Sequence, residues 1–156
     1  DAEIAALRAE LDALALAQEA LADAASELQS RVFPQLTEPA SRYIRRMTEG
    51  KYEQVVVDQE LNISARPAAG AMDCRILQLS TGTADQLYLA LRLAICDAAL
   101  PADAPLLLDD ALLNFDDQRL GQAMTLLREL SAQRQILLFS CSGREVRWNQ
   151  KHPANV

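Results

Sequence analysis

The sequence has little of the residues that usually build catalytic and metal centres. It contains one histidine, five glycines and three cysteines in 156 residues. Cys74, Cys96 and Cys141 show neither CxxC spacing nor a histidine cluster beside them, which excludes a zinc site of the usual spacing. A nuclease or a cysteine hydrolase is disfavoured because Cys141 has no histidine nearby. We expect three reduced and mostly buried thiols.

Further absences limit the class of protein. No apolar run approaches the roughly 20 residues that span a bilayer, and no basic segment followed by an apolar one resembles a signal peptide. We therefore expect a soluble, cytoplasmic protein with no membrane partner. The net charge of −7 argues against attraction of the whole surface to nucleic acid. The sequence also lacks any G-x-x-x-x-G-K-[ST] run, the loop that cradles nucleotide phosphates in many proteins.

Residues 1–32 have the strongest periodicity. Apolar residues recur at alternating steps of three and four, the heptad seam of a coiled coil, although an amphipathic helix packed on its own domain is the alternative. The chain begins at Asp1, inside the helical pattern, which indicates a piece of a longer chain. We predict that 1–32 is the end of a coiled-coil arm and that 33–156 is a separate lobe. The seam comprises Ile4, Leu7, Leu11, Leu14, Gln18, Leu21, Ala25, Leu28 and Val32.

The next segment predicts a helix followed by a small antiparallel β layer. Pro34 breaks the first helix, Thr37 is expected to cap a second one, and Gly50 ends it. The stretch YEQVVVDQELNISARP predicts two strands joined near residues 58–60, and a third strand is expected near 74–77. The apolar stripe of the second helix comprises Ala40, Tyr43, Ile44 and Met47.

A loop of small residues, LSTGT, precedes the next predicted helix. Gly82 allows a close approach of the backbone, and Thr83 can cap the helix. Free N–H groups at a helix N-terminus attract anions, so an anion site is one interpretation and a well-capped helix is the other. The predicted buried stripe of this helix comprises Leu87, Leu91, Ala94, Ile95 and Ala98.

The stretch PLLLDDALLNFDDQ places acids directly after a short apolar run. Residues 106–108 show no alternation, as expected of a strand covered on both faces in a parallel sheet, and QILLFS at 135–140 supplies a neighbouring strand. Ligands bind outside the carboxyl ends of such strands, where Asp109 and Asp110 lie. Two carboxylates can hold Mg²⁺ and polarise an attacking water. A polar turn that caps the next helix with Asp116 or its neighbour is the alternative.

Taken in order, four motifs resemble the C-terminal half of an ABC-type ATPase head of the SMC-like group, and especially the bacterial YhaN/SbcC-like ATPases. They are LSTGT at 79–83, LLLDD at 106–110, NFDDQ at 114–118 and ILLFSCS at 136–142. The resemblance implies an α/β fold, half of a P-loop ATPase head. In it, parallel strands with flanking helices join an antiparallel β layer, preceded by a coiled-coil helix.

The resemblance also implies roles for residues of the first two motifs. Ser80, Gly82 and Thr83 would be the signature residues that bind ATP held by an opposite head. Asp109 would be the Walker B carboxylate that holds Mg²⁺. Asp110 would orient the attacking water in the position where many relatives have glutamate, so its shorter side chain is a departure from the pattern.

Two further elements follow from the same resemblance. Asn114, Phe115 and Asp116 would form the D-loop, which connects the two sites of a head dimer. Ser142 occupies the switch position, where relatives have histidine, and the only histidine here, His152, lies ten residues later.

The function implied is that of an SMC-like ATPase which binds and hydrolyses ATP with Mg²⁺ between two engaged heads of a homodimer. DNA repair or chromosome segregation is the implied role, with DNA and a nuclease as implied partners. The missing phosphate loop would lie in an N-terminal lobe of the same parent chain, so this chain alone should be inactive. Because Ser142 replaces the switch histidine, a second hypothesis is a non-catalytic, coiled-coil-tethered interaction or dimerisation module.

Overall fold

The computed structural model describes residues 2–31, 33–58, 62–70 and 72–153. The chain forms two compact units, Asp1–Gln35 and Leu36–Val156. The first unit contains helix α1 (Ala2–Arg31), and helix α2 (Phe33–Met47) begins at its end. All the strands and the remaining helices belong to the second unit.

Helix α1 runs without interruption through the segment predicted to form the coiled-coil arm. The seam residues that can be assessed are exposed; Leu11, for example, keeps 66% of its accessible surface. The side chains of Leu28 and Val32, the last two seam positions, lie outside the described residues. An amphipathic helix is stabilised mainly by burying its apolar face. A coiled coil would need a second helix to cover the apolar face of α1, so the coiled-coil arm remains a prediction.

Helix α2 begins at Phe33, five residues before the first helical residue expected after a cap at Thr37. Pro34 lies in its first turn, where the missing N–H would have no helical partner in any case. Thr37 is therefore inside the helix, and the prediction that it caps the helix was wrong. Gly50 follows the helix with a φ of 81°, and its N–H donates to the carbonyl of Arg45 at 2.8 Å. The predicted apolar stripe is confirmed, since Ala40, Tyr43, Ile44 and Met47 are all buried.

Three strands form the antiparallel β layer that the sequence predicts. Strand β1 (Tyr52–Val57) pairs with β2 (Ile63–Pro67), which pairs with β3 (Cys74–Arg75). β3 is shorter than predicted because a 3-10 turn, Ile76–Gln78, follows it. The side chain in the middle of this turn is exposed. The hydroxyl of Ser41 in α2 accepts the N–H of Val55 at 2.9 Å and so joins this layer to the helix.

Helix α3 (Thr81–Ala99) crosses the core, but its buried face differs from the predicted stripe. Ile95 and Ala98 are exposed. The buried face ends at Ala94, so Ala98 extends one turn beyond the packed core and Ile95 lies on a neighbouring side. The buried residues are Gly82, Thr83, Gln86, Leu87, Leu89, Ala90, Leu93 and Ala94.

A β-α-β unit completes the fold. Strand β4 (Leu106–Asp109) is followed by α4 (Asp117–Leu130) and by β5 (Ile136–Phe139), which lies parallel to β4; α5 (Arg144–Lys151) follows. The register pairs residue 106 with 136 and residue 109 with 139, so both strands end at the same edge. The carboxyl ends of these strands are therefore side by side, as the motif spacing predicted.

The expectation that β4 is covered on both faces was wrong. Leu106 and Leu108 are buried, whereas Leu107 between them is 62% exposed. Leu137 and Phe139 of β5 are exposed as well. Within the described residues, packing covers only one face of this two-stranded sheet, and the other face is an apolar surface open to solvent.

All three cysteines have free thiols, as expected. Cys74 and Cys96 are half-buried, but Cys141 is exposed, so the expectation of mostly buried thiols does not hold. No helix in the described part of the chain is both long enough and apolar enough to cross a membrane.

The two faces of β4 predict a large and a small change in the free energy of unfolding for the same substitution. Leu108→Ala should lower the free energy of unfolding by about 2–5 kcal/mol because it opens a cavity in the core. Leu107→Ala should change it by no more than about 0.5 kcal/mol, since the side chain is exposed. Urea denaturation followed by circular dichroism measures both values. Similar losses for the two variants would mean that both faces of β4 are packed.

Candidate nucleotide site

The predicted signature motif, LSTGT, lies at the start of α3, and Ser80 rather than Thr83 caps the helix. Ser80 has extended backbone angles, and its hydroxyl accepts the N–H of Thr83 at 3.4 Å. The two hydroxyls are 2.9 Å apart. The observed cap lies three residues before the predicted one, so the prediction for Thr83 was wrong. Ser80 is exposed and Thr83 is buried.

Gly82 is packed against the D-loop segment. A Cβ atom at this position would lie 3.2 Å from Cδ of Arg119 and 3.3 Å from the carbonyl oxygen of Asn114. Both distances are shorter than an ordinary van der Waals contact, so glycine allows the two segments to approach this closely. Gly82 thus has a packing role at this point, and its predicted contact with nucleotide remains a prediction.

The D-loop residues contact the signature helix and begin the next one. Asn114 Nδ2 donates to Asp85 Oδ2 in α3 at 2.8 Å, while the side chain of Phe115 is buried. Asp116 caps α4, because its Oδ1 accepts the N–H of Arg119 at 2.9 Å. This backbone hydrogen bond, together with the nearby guanidinium of Arg119, lowers the pKa of the Asp116 carboxyl. The capping interpretation of Asp116 is therefore confirmed.

Arg119 is a site residue that sequence reasoning missed. Its guanidinium forms an ion pair with Asp116 and donates to Gln86 Oε1 at 3.2 Å, to Thr83 Oγ1 at 3.2 Å and to Ser80 Oγ at 3.5 Å. The five N–H donors of an arginine suit such a junction better than a lysine ammonium would. An arginine three residues after a capping aspartate was the only available signal, and it indicates no more than a local ion pair.

The two acids at the end of β4 occupy different positions. Asp109 is the last residue of the strand and is exposed. Asp110 has a φ of 46°, its N–H donates to the carbonyl of Phe139 at 3.0 Å, and its Oδ1 accepts the N–H of Cys141 at 2.8 Å. Asp110 therefore joins the ends of β4 and β5. Its carboxylate, through a hydrogen bond and its negative charge, raises the pKa of the Cys141 thiol.

Ser142 at the switch position is joined to the D-loop by Arg144, a second residue that the sequence reasoning missed. The Ser142 hydroxyl accepts the N–H and Nε of Arg144 at 3.2 and 3.3 Å. The guanidinium of Arg144 donates to the carbonyls of Phe115 at 2.7 Å and Leu113 at 3.0 Å. A continuous series of contacts thus leads from the switch position through the D-loop to the signature motif.

The carboxylates at the end of β4 fit a divalent cation only in part. The described residues contain no group of three or more histidine, cysteine or acidic side chains that could hold a metal ion. Mg²⁺ usually takes one or two carboxylates and fills its remaining positions with water and substrate phosphates. Asp109 and Asp110 match the carboxylate part of that donor set.

Removal of the Arg119 side chain should loosen the junction between α3 and α4. Arg119→Ala should lower the free energy of unfolding by about 1–3 kcal/mol because the buried amide of Gln86 loses a donor. Arg42→Ala, which removes an exposed ion pair with Glu38, is the matched control and should cost about 0.3–0.5 kcal/mol.

Hydrogen exchange distinguishes the local effect of the Arg119 substitution from a general one. Protection of the amides at the start of α3 should fall in Arg119→Ala and not in Arg42→Ala, because only Arg119 contacts Ser80, Thr83 and Gln86. Equal exchange in the two variants would show that Arg119 does not hold the signature motif in place.

Comparisons with known proteins agree with this architecture. No family model matches the chain. The uncharacterized protein YhaN of Bacillus subtilis (strain 168) is 33% identical over 111 residues, which are 69% of this chain and 11% of YhaN. The chain therefore spans about a tenth of that relative.

Solved structures of SMC heads share the fold. A chain from structural work on ATP-driven dimerization and DNA-stimulated activation of SMC ATPases matches with a TM-score of 0.66 and 20% identity, covering 78% of this chain and 76% of that one. The Smc head domain of Pyrococcus furiosus, with an extended coiled coil and bound to the C-terminal domain of ScpA, matches with a TM-score of 0.58 and 18% identity. That match covers 91% of this chain and 38% of the other.

The resemblance and the α/β fold expected from the motifs are thus confirmed. Parallel and antiparallel strands with flanking helices occur in the predicted order, and solved SMC heads have the same arrangement. The chain has the fold of part of an SMC-type ATPase head and a sequence similar to YhaN.

Proposed function

We propose that this chain is the C-terminal lobe of an SMC-like ATPase that binds and hydrolyses ATP between two engaged heads. The N-terminal lobe of the same parent chain would supply the phosphate-binding loop, and a second copy would supply the opposite head. Residues 1–32 would be the end of the coiled-coil arm that joins the two lobes, and 33–156 the head lobe. The complete protein would act on DNA in repair or chromosome maintenance, with a nuclease as a candidate partner, and in the cytoplasm.

One observation carries the proposal: a single set of contacts joins the four motifs that the resemblance assigns to the site. Arg119 joins Ser80 and Thr83 to the D-loop, and Arg144 joins the D-loop to Ser142. Asp110 joins the end of β4 to the end of β5. A helix cap alone would not require these contacts. They support a unit in which a change at one motif alters the position of the others.

Three residues of this lobe would have separate roles in the binding and hydrolysis of ATP. Ser80, at the exposed start of α3, would donate to the γ-phosphate of ATP, where the helix dipole also favours negative charge. Asp109 would hold Mg²⁺, which when bound would neutralise charge on the phosphates. The exposed carboxylate of Asp110 would orient the attacking water.

A non-catalytic interaction module remains the second candidate, and a specific contact favours it. The Ser142 hydroxyl already accepts two hydrogen bonds from Arg144, so it is engaged within its own loop. A lobe that clamps on ATP without turnover would need the signature contacts but not a γ-phosphate sensor at Ser142.

Hydrolysis by the complete parent protein should depend on Asp110. Asp110→Asn should lower the rate of phosphate release by about 10²–10⁴-fold, the usual contribution of a general base. ATP binding should change little, because the role lies in the transition state. Asparagine can keep the hydrogen bond from Cys141, so the substitution removes the charge and not the local structure. Steady-state phosphate release and equilibrium ATP binding are the two measurements.

Two further variants are needed to interpret the result for Asp110→Asn. Asp109→Asn should weaken Mg²⁺-dependent ATP binding as well as turnover. Asp103→Asn, in the exposed turn after α3, is the matched control and should change neither. Normal hydrolysis by Asp110→Asn would show that the attacking water is oriented elsewhere. If the wild-type protein binds ATP but never turns over, the clamp-only module is the correct function.

The signature contact can be tested without disturbing the helix cap. Ser80→Asp should keep α3 capped, since aspartate is as good an N-cap as serine, but it places a negative charge where the phosphate would bind. We expect unchanged thermal stability of the isolated chain and loss of ATP-driven dimerisation of the complete protein. Analytical ultracentrifugation with and without ATP measures the second effect.

The neutral isostere controls for size at the same position. Ser80→Asn also keeps the cap and should dimerise more strongly than Ser80→Asp, because it lacks the repulsive charge. If Ser80→Asp dimerises with ATP as well as the wild type does, Ser80 is a helix cap and nothing more.

A further inference from the structure

Gln86 is a buried polar residue whose amide has a hydrogen-bond partner at each end. Only 1% of the residue is exposed. Nε2 donates to the carbonyl of Met47 at 2.7 Å, and Oε1 accepts Nε of Arg119 at 3.2 Å. A carbonyl can only accept a hydrogen bond and a guanidinium can only donate one, so these two partners require a single orientation of the amide. Gln86 therefore bridges Met47 and Arg119 in one defined geometry.

The first partner of the amide is the end of helix α2. Met47 is the last residue of this helix, so its carbonyl is one of those that need a partner from outside the helix. Gln86 of α3 supplies that donor. The chain then turns sharply, with Gly50 in the left-handed region at a φ of 81°. The bond from Gln86 thus joins the point where α2 ends to α3.

The second partner, Arg119, leads to the predicted signature motif. Its guanidinium donates to Thr83 Oγ1 at 3.2 Å and to Ser80 Oγ at 3.5 Å. Because the guanidinium is planar and rigid, a change in the direction of Nε moves its other donors as well. A continuous series of hydrogen bonds therefore leads from the end of α2 through Gln86 to the cap of α3.

We propose that Gln86 is a positioning residue that makes the geometry of the predicted signature motif depend on the end of α2. A displacement of the Met47 carbonyl turns the Gln86 amide. The amide in turn moves Arg119 away from the hydroxyls at the start of α3. This coupling within the lobe requires no nucleotide, whereas its consequence for ATP rests on the proposed function, in which Ser80 contacts the γ-phosphate.

The first test compares two substitutions of Gln86 in the 156-residue chain. Gln86→Met keeps the length of the side chain and removes both hydrogen bonds, whereas Gln86→Glu keeps an oxygen that accepts from Arg119. The amide of Thr83 reports on the cap, because it donates to Ser80 Oγ. Its hydrogen exchange, followed by NMR, should be about tenfold faster in Gln86→Met, equivalent to one lost hydrogen bond. In Gln86→Glu the rate should stay close to that of the wild type.

Leu93→Ala is the matched control for a general loss of stability. Leu93 is buried in the same helix, about two turns after Gln86, and its truncation opens a cavity without removing a hydrogen bond. Without denaturant, where local opening governs exchange, this control should leave the rate at Thr83 unchanged. The proposal is overturned if Thr83 exchanges as fast in Leu93→Ala, or in Gln86→Glu, as it does in Gln86→Met.

The second test displaces the end of α2 directly. A Cβ at Gly50 would meet no atom within 4 Å, so Gly50→Ala strains the left-handed turn after α2 without a steric clash. Gly70→Ala is the matched control, because Gly70 has a φ of 67° and equally open surroundings but lies in the turn between β2 and β3. Gly50→Ala should speed exchange at Thr83, and Gly70→Ala should not.

A double substitution shows whether that effect passes through Gln86. In the Gln86→Met background, Gly50→Ala should cause no further change at Thr83, because the connection is already lost. An equal effect of Gly50→Ala in both backgrounds would mean that the end of α2 acts by another route, and would overturn the proposal.

The complete parent protein distinguishes this proposal from the proposed function. Gln86→Met should weaken ATP-driven dimerisation by about tenfold, and Gln86→Glu should retain it. Equal dimerisation of Gln86→Met and the wild type would overturn the role of Gln86 at the nucleotide site. Failure of the wild type itself to dimerise with ATP would count against the proposed function, and the exchange measurements, which involve no ATP, would then decide the coupling by themselves.

Discussion

The guanidinium of Arg119 holds together two helix starts that are separated by more than thirty residues of chain. It contacts the cap of α3 at Ser80 and Thr83 and the cap of α4 at Asp116. Between them, Gly82 brings the backbone of α3 within van der Waals distance of the D-loop. A longer side chain at position 82 or a shorter one at position 119 would separate the segments. The relative position of the signature motif and the D-loop therefore depends on this junction.

The second constraint is the parallel pairing of β4 and β5. Because the register places residue 109 opposite residue 139, Asp110 and Cys141 meet just beyond the strand ends. Asp110 adopts a left-handed backbone conformation that is uncommon for aspartate, and two hydrogen bonds to the β5 segment hold it there. Strained residues of this kind are concentrated at functional sites. The loop after β5 carries Ser142, and Arg144 at the start of α5 contacts both Ser142 and the carbonyl of Phe115, so the strand ends and the D-loop share one support.

The lobe has apolar surface that its own packing does not cover. Leu107, Leu137 and Phe139 are exposed on one face of the parallel sheet. Contiguous apolar surface usually marks a place where another protein segment packs. This face of the parallel sheet is therefore a candidate surface for another protein segment.

Local sequence was sufficient for the order and type of the elements and for the position of the acids. Short apolar runs, a glycine after α2 and an aspartate before α4 are signals that act over a few residues, so helices α1 to α4, the β-hairpin and the β-α-β unit could be predicted. Helix α5 was not predicted, because its sequence is mostly polar. The sequence did not decide which residue caps α3, because Ser80 and Thr83 both have hydroxyls that can cap a helix. Only the backbone conformation decided between them. Burial depends on what lies across the interface, which is why Leu107, Ile95 and Cys141 differed from expectation. Arg119, Arg144 and Gln86 could not be assigned from the sequence, because an arginine or a glutamine has no local pattern that predicts distant partners. Only the tertiary structure, which brings α3, the D-loop and the β5 end together, decided which of these side chains meet.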